Sequence, residues 1–386
     1  MKTDKVQLKG ITWNHSRGVV PMVATAQRYE ELHPWVKFEW KARSLQEFAD
    51  EPLDDLIDKY DLLVIDHPWV GYVAETEILV PLDQYLSTSF LQDQSDNSVG
   101  KSYQSYCWNS SQWALPIDAA APVASSRPEL LKRAGVELPQ TYNDLLNLAD
   151  RGLVALPAIP IDTLMNFYMF CIALGEAPFS DQKQVVNQAV GGQALQLLKQ
   201  LISKVDPVCL ERNPIKIYEV MTQSDDIAYC PFAYGYINYA RKNYASNQLK
   251  FHDLITIEGA RLVSTLGGTG LAVSSRSNHP EIACDYSRYV SSASIQGSLY
   301  TESGGQPAHK SAWESNYTNN QCQNFLQDTL PTLDRTYLRP RYNGYISFQD
   351  QAGLYIWDFL KKGGKKGALL RKLNQLYRES QEGLVK

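Results

Sequence analysis

Over the first third of the chain the hydrophobic pattern switches repeatedly between two periods. Residues 6–12 read as a strand. Residues 21–33 (PMVATAQRYEELH) place Met22, Ala26, Tyr29 and Leu32 at helical spacing, and residues 36–40 (VKFEW) alternate as a half-buried strand does. Ser44 then opens SLQE, a capping box with Glu47 that predicts the start of the next helix. In YDLLVIDHPWVG, residues 60–71, the four apolar residues 62–65 show no alternation, which predicts a parallel strand buried on both faces. The order strand, helix, strand, helix, strand predicts a doubly wound α/β beginning.

Beyond this point the texture changes. A short apolar segment at 78–86 is followed by a polar stretch, 92–105, that reads as a loop. QWALPID, 112–118, reads as a strand ending in a carboxylate. Residues 128–135 and 141–152 read as helices, with Pro157, Pro160 and Asp162 interrupting the chain before an apolar helix at 164–174. This stretch predicts a second domain. Residues 227–239 hold four tyrosines in a strand-and-turn context. Residues 262–274 read as a strand pair broken by Gly267, Gly268 and Gly270, and a helix runs from His279 to Ser291. A small-residue loop, SGGQ, contains Gly304 and Gly305, and the tail, 352–381, is helical and basic around Lys361 to Lys366, a run that reads as a solvated turn.

A chain of 386 residues exceeds what one hydrophobic core ordinarily serves, which supports two domains. Its 44% hydrophobic and 20% charged residues are those of a globular protein, and a net charge of −5 leaves no basic footprint for nucleic acid. The biased class is aromatic: 23 Tyr and 8 Trp against 11 Phe favour rings that carry a polar handle and suit half-apolar, wetted sites. Cys107, Cys171, Cys209, Cys230, Cys284 and Cys322 are scattered without a CxxC pair, which argues against a zinc site or a compact disulfide framework. No apolar run approaches the roughly 20 residues of a membrane span. The start MKTDKVQLKG is too polar for a signal peptide. The expectation is an extracytoplasmic protein, periplasmic or lipid-anchored, if a leader has been removed, with a cytoplasmic location as the alternative.

Candidate chemistry gathers at strand ends, where ligands bind in open α/β sheets. Asp66, His67 and Trp69 follow one strand; Trp13, Asn14, His15 and Arg17 follow another; Asp118 ends a third. A histidine beside carboxylates is material for acid–base or metal chemistry. No HxH, HExxH, GxSxG or CxxC pattern accompanies it, so no metal, cofactor or covalent nucleophile is assigned. LGGTG at 266–270 lacks the GxxxxGK[ST] pattern of a phosphate loop.

Taken in order, these features resemble the extracellular solute-binding proteins of ABC importers, the carbohydrate-type group that includes maltose-binding protein. The features are a PMV…HP helix at 21–34, YDLLVID, PLD at 81–83, ALP at 114–116, LGGTGLAVSSRSNHPEIA at 266–283, and a helix around Tyr289 with Gln296. The resemblance implies an α/β, two-lobe periplasmic-binding-protein-like fold of type II with a mixed sheet in each lobe and a ligand cleft. It places one lobe at 1–115 plus 259–308 and the other at 116–258 plus 309–386. It implies a monomer that captures a small polar solute, a carbohydrate or derivative, for ABC permease subunits.

A sugar presents hydroxyls that need donors and acceptors, and C–H faces that stack on rings. On that logic Asn14, Arg17, Asp66 and Asp118 fit the polar role, and Trp13, Trp69, Tyr234 and Tyr236 the stacking role. Gly267, Gly268, Gly304 and Gly305 would offer backbone groups, and His15 and His67 would hydrogen-bond. Two alternatives stay open: the tryptophans as core packing, and Arg17 and Asp66 as structural ion-pair members. A further alternative is an enzyme on the same fold, acting on a similar polar substrate through His15, His67 and Asp66.

Overall fold

Residues 5–383 are described in a computed structural model. β1 (Val6–Trp13) leads into α1 (Ser16–Leu32), β2 (Val36–Arg43), α2 (Leu45–Asp50) and β3 (Leu62–Ile65). α3 (Thr88–Asp96) precedes β4 (Leu115–Ala120) and β5 (Pro122–Ser126). The chain continues through α4 (Tyr142–Ala149), α5 (Pro160–Ala173), α6 (Gln188–Ile202), β6 (Tyr229–Tyr234), β7 (Lys250–His252) and β8 (Gly267–Val273). It closes with α7 (Pro280–Ser291), α8 (Phe325–Asp334), α9 (Tyr345–Lys362) and α10 (Lys366–Gln381).

Two compact units divide the chain: residues up to Ala120 with Leu266–Asp334, and Ala121–Thr265 with Arg335 onward. In the first unit, five strands form a mixed sheet in the order β2-β1-β3-β8-β4. All four residues of β3 are buried, as their apolar run predicts. The strand runs parallel to β1 on one side and antiparallel to β8 on the other. α1 packs the face that carries Met22, Ala26 and Tyr29, and Tyr29 sets its ring edge-on against Phe38 and Tyr286. The second unit has a three-stranded sheet in the order β6-β5-β7. Its central helix α5 is buried at every position from Asp162 to Cys171, so packing on all sides holds it where most helices bury one stripe. A cluster around Phe179, formed by Tyr168, Tyr345, Phe348 and Tyr377, fills the space beside it.

Several local expectations are corrected. α1 starts at Ser16, five residues before Pro21, because His15 supplies its N-cap upstream. The polar stretch 92–105 is not loop throughout: it contains most of α3, capped by Ser87, whose surface polarity masks its helical period. Pro160 does not interrupt α5 but begins it, at the first helical position, where a missing N–H costs nothing. Residues 262–274 hold one long strand, β8, with the glycines inside it. Asp118 lies within β4 and not at its end, since the strand runs on to Ala120. The turn expected within Lys361 to Lys366 is present, with the tail's two helices separated at Gly363 and Gly364, both at positive φ.

The expected lobe limits at 115, 258 and 308 fall instead at 120, 265 and 334. Residues 309–334 stay with the first unit because they are built into it. Trp313 donates from Nε1 to the Pro307 carbonyl at 2.6 Å and packs against Phe325, and Tyr317 donates to Glu302.

Candidate functional site

In the first unit, strand direction gathers the polar residues at one sheet edge. β1 and β3 are parallel, β8 is antiparallel to β3, and β4 is antiparallel to β8. The C-terminal ends of β1, β3 and β4 therefore reach the same edge as the start of β8, the edge at which open α/β sheets bind ligands. Asn14 and His15, Asp66 and His67, Asp118, and Gly267 and Gly268 all lie there.

Their environments differ. Arg17, on the first turn of α1, donates from Nε to Asp118 Oδ2 at 2.7 Å, and its Nη2 bonds Oδ1 in a bidentate pair. Asp118 is 1% exposed and Arg17 4%, so the pair is interior. Burial pushes the Asp118 carboxyl up against the opposing pull of the Arg17 guanidinium. His15 is committed to α1: Nδ1 accepts from the Arg17 backbone N–H at 3.0 Å, which requires a neutral ring. Burial, with the Arg17 charge second, lowers the imidazole to about 4.

Asp66 is half-buried and accepts from the His67 backbone N–H at 2.8 Å, with His67 Nδ1 3.1 Å from its Oδ1. His67 itself is 0% exposed, its ring edge-on to Tyr106. Trp69 is half-buried beside Tyr72. Trp13 is buried against Phe48, and a Cβ on Gly18 would lie only 2.5 Å from its ring, so this indole belongs to the core. Asn14 is exposed, and its backbone N–H donates to Arg43 O.

The glycines have backbone causes. Gly268 has φ +99° opposite Ala119, and a Cβ there would meet the Asp118 carbonyl at 2.2 Å. Gly304 takes φ +97°, and a Cβ on Gly305 would strike the Tyr300 ring at 2.3 Å. The loop they begin returns to β4, where Gln306 donates from Nε2 to Ala119 O at 2.7 Å and Pro307 bridges Asp118. Gln306, which ends the SGGQ run, and Gln296, which accepts from the Ala308 N–H, hold this loop in place.

In the second unit, Tyr234 ends β6, half-buried, with its hydroxyl 3.3 Å from Thr265 Oγ1. Tyr236 is 6% exposed and faces Tyr218. Asp162, read from the sequence as part of an interruption, lies in the first turn of α5 and is 5% exposed, with Oδ2 lacking a hydrogen-bond partner. Burial alone pushes its carboxyl up to about 8. The available signal was an acidic residue two places after a proline at the head of an apolar run. Among the described residues, no group of three or more His, Cys, Asp or Glu could hold a metal ion, and no helix is long and apolar enough to cross a membrane.

The fold defines a class first: the mixed α/β, two-lobe architecture of periplasmic sugar-binding proteins. The chain aligns with maltose-bound MalE3 of T. maritima at 15% identity over 97% of this chain and 99% of that one, with a TM-score of 0.84. It aligns with an ABC transporter solute-binding protein of Agrobacterium radiobacter K84 in complex with ribitol at 18% identity, over 99% and 100% of the two chains, also at 0.84. The GacH receptor of Streptomyces glaucescens, solved unliganded and with acarbose, matches at 19% identity over 98% and 99%, at 0.81. The family follows from sequence: residues 14–297 match the model for bacterial extracellular solute-binding protein, and the chain belongs to that family.

Proposed function

We propose that the protein captures a small neutral carbohydrate or polyol outside the cytoplasm, as a monomer, and hands it to the permease subunits of an ABC importer. The observation that carries this reading is the family match over 14–297. The binding of maltose, ribitol and acarbose by proteins of the same fold supports the solute class. In the first unit, Asn14, Asp66 and Trp69 are the side chains we assign to solute, because each keeps exposed surface at the ligand-binding edge of the sheet. Arg17 and Asp118 position that edge through their mutual pair. Tyr234 and Tyr236 are the stacking candidates of the second unit.

An enzyme working through His15 and His67 fits less well. One imidazole serves as a helix cap and the other has no exposed surface. Isothermal titration and thermal shift against maltose, ribitol and tagatose test the proposal. A ligand at 100 times its Kd raises native stability by about 2.7 kcal/mol, so a bound sugar gives a clear upward shift. Absence of heat and of shift across the panel rejects it, and conversion of any sugar to a new product would favour the enzyme.

A further inference from the structure

Residues 354–372 span the end of α9, the turn after it and the start of α10. They carry six cations, Lys361, Lys362, Lys365, Lys366, Arg371 and Lys372, against one carboxylate, Asp358. That is a local excess of five positive charges in a chain whose net charge is −5. Among the described residues, the one ion pair within this stretch joins Lys362 to Asp358. Lys366 donates to the neutral Gln196, Lys361 stands over the Trp357 ring at 4.5 Å, and Lys372 stands over the Tyr355 ring at 3.4 Å. Helix stability explains only half of the turn. Lys361 and Lys362 suit the negative end of α9, but Lys365 and Lys366 stand at the positive end of α10, where no acidic residue and no side-chain cap offsets them. Two turns before Lys361 on the same face of α9, Leu354 is 51% exposed.

We propose that this patch is a docking surface for the anionic phospholipid headgroups of a bilayer. Clustered basic residues are drawn to such a surface, each adding to the attraction. Five of the six cations are lysines, compact charges on flexible stems, which suit the diffuse, mobile charge of headgroups. A phosphate read in fixed geometry, as on a nucleic acid, calls for arginine forks, and it would leave Leu354 unused. At a bilayer the exposed leucine enters the headgroup boundary while the lysines keep their charges in water. Because the chain as a whole is acidic, an anionic surface repels most of it, so the patch also orients the second unit with the α9–α10 turn towards the bilayer. The proposed importer works at a bilayer, but the patch stands on its own charges, and its failure would leave the solute reading intact.

The test is co-sedimentation of the full chain with vesicles of phosphatidylglycerol and phosphatidylcholine in equal parts, and with vesicles of phosphatidylcholine alone. The wild type should sediment with the anionic vesicles and stay in solution with the neutral ones, and the binding should fall away between about 0.05 M and about 0.5 M salt. Lys365→Glu/Lys366→Glu should lower the partition onto anionic vesicles by about tenfold or more. That variant places acids where the α10 dipole favours them, so its melting temperature should not fall and a lost interaction cannot be laid to unfolding. No sedimentation with the anionic vesicles at low salt, equal sedimentation with both vesicles, or an unchanged partition in the double variant overturns the proposal. Retention on heparin without vesicle binding also overturns it, assigning the patch to an acidic polymer or protein instead. The salt comparison uses the wild type alone and decides the question even if the variant does not fold.

Discussion

Among the described residues, each unit buries one aspartate almost completely, and the two are handled in opposite ways. Asp118 in the first unit receives a bidentate guanidinium from Arg17; Asp162 in the second keeps an oxygen with no partner. Burial pushes both carboxyls up, but only Asp118 has a cation pulling back. The first arrangement ties α1 to β4 and builds the framework of an edge. The second leaves one carboxyl oxygen buried without a partner in the first turn of α5.

The strongest way to break this comparison is to remove Arg17. Arg17→Ala leaves the Asp118 carboxyl buried without its partner and should cost about 3–5 kcal/mol by urea denaturation. A loss no larger than that of a surface substitution would show that the pair holds nothing together.

Asp162→Asn should do the reverse. The native carboxyl titrates at about 8 against about 3.9 unfolded, so between these values the native state binds more protons than the unfolded chain. Wild-type stability should therefore fall as pH rises from about 4 to about 8, by an amount on the order of a few kcal/mol, while the asparagine variant lacks that decline. Parallel pH profiles for the two proteins would contradict a buried, unpaired acid.

His15 gives a smaller effect of opposite slope. Its native value of about 4 lies below the unfolded 6.5, so its contribution is present above pH 6.5 and lost as pH falls towards 4. His15→Asn, which can cap the helix without titrating, should remove on the order of 1–2 kcal/mol of that acid sensitivity, read from melting temperatures at pH 7 and pH 4.5.

An exposed polar group at a helix start calibrates the series. In the capping box that opens α2, the Glu47 N–H donates to Ser44 Oγ at 3.1 Å, and Ser44→Ala should cost only about 1 kcal/mol. A cost approaching that of Arg17→Ala would mean that burial is not what separates these sites.

Much of the first unit was legible in the chain because its signals are local. The unalternating residues of β3, the box at Ser44 and Glu47, and Pro280 at the start of α7 each depend on neighbours within a few positions. The misreadings share a cause as well. Asp118 looked like a strand end because a carboxylate seldom continues a buried strand, and only Arg17, 101 residues earlier, makes that possible. Pro160 and Asp162 looked like an interruption because proline ends helices as readily as it begins them. Trp13 looked like a stacking surface until Phe48 and Gly18 closed around it.

By itself, then, the sequence determined most element types of the first third, the alternating α/β order, the family, and the strand ends at which polar and aromatic residues would collect. Periodicity and capping act over one or two turns of chain, and that information is local. Only the tertiary structure decided which of those residues face inward. It paired Arg17 with Asp118, sealed His67, turned His15 into a cap, and left Asp162 buried without a partner. Desolvation and ion pairing depend on what the rest of the fold brings within a few ångströms, and that is written in no single stretch of the chain.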